Sequence, residues 1–214
     1  MGMSTRRIHA ALLLCLAPLQ AAAHPHVFVD AAARFVLDAD GRLAAVEIEH
    51  LYDPLVSLFV LQDLGVDPFA PLSEQDAVRL GADQAVMLKD SDGFAALSIG
   101  GKEVPFGAPI DVAVAITDER MHVTFTAPVA MPQALEGMAA TLAIFDPVYF
   151  IAFDLTGPVT VEGGADCAAE ALEWAPTDGL MALQSTLLDL ALDETPEDPT
   201  VGRLFAAEAR LTCR

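Results

Sequence analysis

The pattern of apolar and polar positions begins with two β-prone runs between Val27 and Tyr52. They flank Asp38-Ala39-Asp40-Gly41 and predict a β-hairpin. Gly41 can take the left-handed conformation that a three-residue hairpin loop requires. With Ala39 to Gly41 as the loop, Asp38 faces Arg42. That register sets Asp30 opposite His50, Phe28 opposite Tyr52 and His26 opposite Pro54, all on one face. A helix should follow, with Asp53 as its N-cap, Pro54 at its first position and Gly65 as its end. Ser73 with Asp76 reads as the cap of a second helix reaching about Met87. Short strands then come between glycine and proline turns: Phe94 to Ile99, Val104 to Phe106, Ile110 to Thr117 and Met121 to Ala127. Thr141 to Phe153, interrupted by Asp146-Pro147, and Pro158 to Val161 continue the strand-rich stretch. Ala168 to Trp174 reads as a strand, Thr177 to Leu192 as an amphipathic helix, and Leu204 to Cys213 as a final strand. The expected class is α+β, mostly antiparallel strands with two to three helices.

Ahead of the hairpin the pattern is of another kind. Arg6 and Arg7 precede an apolar run from Ala10 to Leu19, too short to span a membrane. Ala21-Ala22-Ala23 offers the small residues of a signal-peptidase site. Residues 1–23 are therefore expected to be a signal peptide, cleaved after Ala23, and 24–214 the exported domain. Subdomains near 24–90 and 91–214 are an alternative division. Cys15 follows Leu14, where lipoprotein processing wants a small residue, so the lipoprotein reading is disfavoured. No second long apolar run occurs, so no transmembrane span is expected in the mature chain. The formal charge is −20; cleavage removes two arginines and no carboxylate, making it more negative still. A phosphate backbone would be repelled, which argues against nucleic acid as a partner.

Cys167 and Cys213 are the two cysteines of the exported part. In an oxidising compartment such a pair reads as one disulfide, ahead of a thiolate metal site. The histidines of that part are His24, His26, His50 and His122. Imidazole is the commonest ligand for borderline divalent ions. Cleavage would free the α-amine of His24, which can chelate together with its ring. His26 lies two residues on, the same side of an extended strand. Pro25 has no N–H to lose, so the amino-terminal copper chelate through two backbone amides is blocked. A histidine brace for copper, built from the terminal amine, its ring and one more imidazole, stays open. Asp30, facing His50 in the expected register, would orient a ligand ring from behind. No nucleophile elbow, phosphate loop, dinucleotide fingerprint or zinc-protease motif is present.

Several stretches together carry a resemblance. They are His24-Pro25-His26-Val27-Phe28-Val29-Asp30, Ile48 to Asp63, Ile144 to Asp154, and the late Cys167 and Cys213. In these the chain resembles the ZevA-like family, periplasmic proteins described as components of metal transport systems. Their surroundings include nickel/cobalt-exporter-like membrane permeases, and zinc uptake is implicated. Three residues before Asp53, where that pattern has a tryptophan, this chain has His50. It also lacks a long histidine-rich loop, which argues against bulk zinc buffering.

The resemblance implies a periplasmic metal-handling protein serving an inner-membrane permease. The expected cargo is Zn2+, with Ni2+, Co2+ or Cu as alternatives. Expected ligands are His24 and His26, completed by His50 or His122, with Asp30 behind them. A copper enzyme using a histidine brace and a non-metal adaptor of the cell envelope are the competing classes.

Overall fold

The computed structural model describes residues 25–164, 166–191 and 194–214. The expected signal peptide and His24 lie outside the described residues. The hairpin is formed by β1 (Val27–Leu37) and β2 (Leu43–Tyr52). Helices α1 (Pro54–Asp63) and α2 (Glu74–Asp90) follow. Next come β3 (Ala95–Ile99), β4 (Lys102–Val104), β5 (Ile110–Thr117) and β6 (Arg120–Gln133). The remainder holds β7 (Ala140–Ile144), β8 (Ile151–Asp154), β9 (Val159–Glu162), β10 (Cys167–Ala171), α3 (Asp178–Leu188) and β11 (Ala207–Cys213). The class is α+β with mainly antiparallel pairing, as the sequence pattern implies.

Two sheets carry the fold. The first runs β5-β6-β2-β1-β8, with β9 also paired to β1. The second runs β10-β11-β7-β3-β4. Strand β1 is antiparallel to β2, but parallel to β8 and then to β9 along its other edge. Inward residues of both sheets join one core, including Phe35, Ile48, Phe125, Leu142 and Leu211, with Leu61 of α1 and Leu80 of α2. Strands from before and after residue 90 share the first sheet and this core. The division near residue 90 therefore does not separate two cores. No helix among the described residues is long and apolar enough to cross a membrane.

Local chemistry explains where the elements start. The Asp53 carboxylate accepts hydrogen bonds from the N–H groups of Leu55 and Val56, both at 2.9 Å. Pro54 occupies a position where its missing N–H costs nothing. Buried Ser57 fastens α1 to the sheet: its hydroxyl donates to the Asp53 carbonyl at 2.7 Å and accepts from the Met121 N–H at 2.9 Å. Ser73 caps α2 through the Asp76 N–H. Strands expected as one interrupted run from Thr141 to Phe153 lie in different sheets, β7 in the second and β8 in the first. The Asp146-Pro147 turn carries the chain across.

The hairpin register differs from the expected one, and the reason is local. Near the loop the pairing is as expected, Leu37 with Leu43. Val36 then pairs with Ala45, so Ala44 is a bulge residue. Beyond it every partner is displaced by one. Ala31 faces His50, Asp30 faces Leu51, and Val29 faces Tyr52. The expected pairs Asp30–His50 and Phe28–Tyr52 do not form. Phe28 instead meets Asp53, whose N–H donates to the Phe28 carbonyl at 2.9 Å.

Cys167 and Cys213 form a disulfide across paired positions of β10 and β11, 46 residues apart in sequence. Closing a loop of that length restricts the unfolded chain. Replacing both cysteines by serine should lower the unfolding free energy by about 2–4 kcal/mol. Urea titrations of the variant and of the oxidised parent would measure it. An unchanged midpoint would contradict this role.

Candidate functional site

The start of β1 is held by a loop that the sequence marks only as a turn. Asp146 is buried, and its carboxylate accepts from the N–H groups of Phe150 at 2.9 Å and Ile151 at 3.0 Å. The Phe150 carbonyl, presented by this loop, accepts from the His26 N–H at 2.9 Å. The His26 ring lies 4.9 Å from the Phe150 ring. Gly202 closes against the other side of the loop, donating its N–H to the Pro147 carbonyl at 2.8 Å. A β-carbon at residue 202 would fall 1.8 Å from the Asp146 carbonyl oxygen, so only glycine fits there.

The bulge at Ala44 decides where the other expected site residues go. His50 points inward and is fully buried. Its ring centroid lies 4.9 Å from Phe153, 5.2 Å from Phe125 and 6.4 Å from Phe94. Neither ring nitrogen has a hydrogen-bond partner, and burial lowers its pKa from 6.5 to about 3. Tyr52, two residues on and facing the same side, also has an unpartnered hydroxyl, which burial pushes up to about 12.

His122 faces the other way. It pairs with Leu51 in the sheet, and its Nε2 lies 3.0 Å from a Glu49 carboxylate oxygen on the outer surface. His50 and His122 therefore occupy opposite faces of one sheet and do not converge.

Asp30 is also on the outer side, bound to Arg120 rather than to a histidine. The Arg120 guanidinium donates to Asp30 at 2.7 Å, to the Leu51 carbonyl at 2.9 Å and to the Tyr52 carbonyl at 2.6 Å. The Thr156 hydroxyl donates to the second Asp30 oxygen at 2.9 Å. Burial pushes the Asp30 carboxyl up, but the hydrogen bonds from Arg120 and Thr156, with the charge of Arg120, outweigh it. Its pKa is held below the ordinary carboxylate value. Among the described residues, no group of three or more His, Cys, Asp or Glu side chains is placed to hold a metal ion.

The start of β1 opens onto a cleft of about 1300 Å³. Pro25 ahead of β1, Phe28 and Asp30 of β1, and Asp53 and Pro54 at the beginning of α1 line it. Residues 152–155 form one side, while residues 171–175 and 203–208 form the other. Helix α3 contributes Leu180, Gln184 and Leu188. Tyr149 stacks on Phe205 at 4.2 Å between ring centroids and accepts from the Gln184 amide at 2.8 Å. Five carboxylates line the cleft, Asp30, Asp53, Asp154, Glu173 and Glu208, against the guanidiniums of Arg120 and Arg203. Arg120, Trp174 and Phe205 carry no sequence signal for this place. Separate elements bring them together.

An unpaired buried imidazole costs desolvation energy that an alkyl side chain of similar size does not. His50→Leu should leave stability at pH 7 equal or raise it by up to about 2 kcal/mol. Below its ordinary pKa of 6.5, His50 takes up a proton in the unfolded chain but stays neutral in the folded protein to about pH 3. This titration leaves stability untouched above pH 6.5 and lowers it as pH falls toward 3, by up to about 1.4 kcal/mol per pH unit. The advantage of the variant should therefore grow between pH 7 and pH 5 in urea titrations. A constant difference would refute the assignment of a neutral, buried His50.

No curated protein matches the chain at a significant level. A family model described as "Protein of unknown function (DUF1007)" matches residues 9–213. That match runs through the His-Pro-His segment, both sheets, the cleft and both cysteines, so the chain belongs to the DUF1007 family.

Proposed function

We propose that this chain is a periplasmic component of a metal transport system. It holds a divalent ion, zinc before nickel, cobalt or copper, and works with an inner-membrane permease of the nickel/cobalt-exporter kind. The observation that carries the reading is the anchoring of His26. Its backbone is fixed by Phe150, and the preceding Pro25 lines a cleft bearing Asp30, Asp53 and Asp154. The residue joined to Pro25 is His24, which cleavage after Ala23 would make the terminus. The ligand set proposed is the amine and ring of His24, the ring of His26 and a carboxylate of the cleft, near the four donors zinc prefers. A chain this acidic also raises the local concentration of cations.

His50 and His122 stand outside this set. His50 is enclosed by phenylalanines, and His122 lies with Glu49 on the outer face. The cysteines are likewise excluded, since their sulfurs are joined to each other.

Equilibrium competition of the exported protein against a calibrated chelator, with zinc, nickel, cobalt and copper in turn, tests the reading. Wild type should retain one zinc ion per chain. The His24→Ala/His26→Ala double variant should bind at least about tenfold more weakly, and His122→Ala should bind like wild type. Equal retention by the double variant would remove this site. Retention of no ion would leave a non-metal envelope adaptor, and turnover of a reductant with oxygen by a copper-loaded form would favour the histidine-brace enzyme. Intact mass of the exported protein checks the His24 start on which the amine ligand depends.

A further inference from the structure

The cleft is much larger than an ion and its ligands need, and its long sides have an unusual composition. Residues 152–155 all line it, although side chains of consecutive strand residues alternate between faces. What β8 presents to the cleft is therefore its backbone edge. Strand β8 ends the order of its sheet, and among the described residues its strand partner is β1 alone. The other sheet margins are closed off differently. Strand β5 is bulged and covered by α2, β10 lies against β9, and β4 is only three residues long, Lys102–Val104, too short to template much pairing. An uncovered edge beside a cavity is a template for an added strand.

The side chains around that edge complete the picture. Phe28 is 57 % exposed, Trp174 48 %, Leu188 43 % and Leu204 54 %. All four line the cleft. Large apolar residues gathered around one concavity mark a surface that another molecule covers. Of the two guanidiniums in the lining, Arg120 is committed to Asp30, and Arg203 lies over the Phe145 ring, 5.1 Å from its centroid. The five carboxylates of the lining outnumber these two guanidiniums, so the field of the cleft is net negative.

From these observations we infer that the cleft receives an extended peptide segment of a partner protein, added as a strand along β8. Its apolar side chains seat among Trp174, Leu188 and Leu204, and its lysines or arginines face Asp154, Glu173 and Glu208. Main-chain hydrogen bonds to the edge supply affinity, and the alternating side chains supply selectivity. An acidic segment, or an anionic lipid surface, is disfavoured by the same carboxylates. The inference does not rest on metal binding.

A display library of random, roughly eight-residue segments, selected on the oxidised protein in the presence of a chelator, is the direct test. Enriched sequences should alternate apolar residues with others and carry excess lysine and arginine. A synthetic winner should shift the emission of Trp174, the single tryptophan of the chain. N-methylation at alternate residues of one parity should weaken binding at least about tenfold, and methylation at the other parity should not. Leu204→Glu, at an exposed position, should also weaken it, whereas His122→Ala, outside the cleft lining, should not. No enrichment, enrichment of acidic segments, indifference to N-methylation, or preference for phosphatidylglycerol vesicles would each overturn the inference. Loss of metal retention in the double histidine variant would leave it standing.

Discussion

One extra residue in one strand sets the chemistry of this protein. Ala44 stands without a partner in the hairpin, and the pairing beyond it is displaced by one position. Strand side chains have a period of two, so such a displacement exchanges the faces. It sends His50 into a shell of phenylalanines and leaves Asp30 on the outer side, where Arg120 and Thr156 hold it. Without the bulge, His50 and Asp30 would be cross-strand neighbours on one face. The two residues would then form the kind of histidine–carboxylate pair that metal sites use.

Asp53 and Asp146 are the two carboxylates that turn this sheet into a site. Asp53 satisfies the first N–H groups of α1 with one oxygen, while the other accepts from the Phe28 N–H at 3.2 Å. It therefore ties the beginning of the helix to the beginning of β1. Asp146 does the same for the far side, organising the loop whose Phe150 carbonyl receives His26. Both work by accepting backbone N–H groups at the beginnings of elements. Gly202 packs directly against the Asp146 loop and donates its N–H to the Pro147 carbonyl.

Much of the fold is legible in local signals. Asp53-Pro54 and Ser73 with Asp76 announce helix starts by capping chemistry, and both helices begin there. Asp38 to Gly41 announces the hairpin loop, and Gly41 has the positive φ its place requires. Two cysteines expected in one disulfide do form it. Features set by distant partners are not legible in this way. A bulge at Ala44, between Leu43 and Ala45, leaves no compositional mark. The pairing of β1 with β8, about 120 residues later, has no local signal either, nor does the gathering of Trp174, Phe205 and Arg120 around the cleft. His50, His122 and Asp30 do not converge for the same reason: face assignment depends on register, and register is a tertiary property.

Strand β1 sits in the interior of its sheet, although it is the first strand among the described residues. Its second edge is closed by β8 and β9, in parallel pairing that only a long crossover permits. The hairpin can form early from neighbouring residues, but its open side must wait until Ile151 and the residues after it arrive. Such non-local closure carries a loop-entropy cost before any contact repays it, which slows folding. The order of synthesis and the order of completion are thus opposed. His26 and Asp30, early in the chain, therefore wait for Phe150, Arg120 and Thr156 before their surroundings are complete.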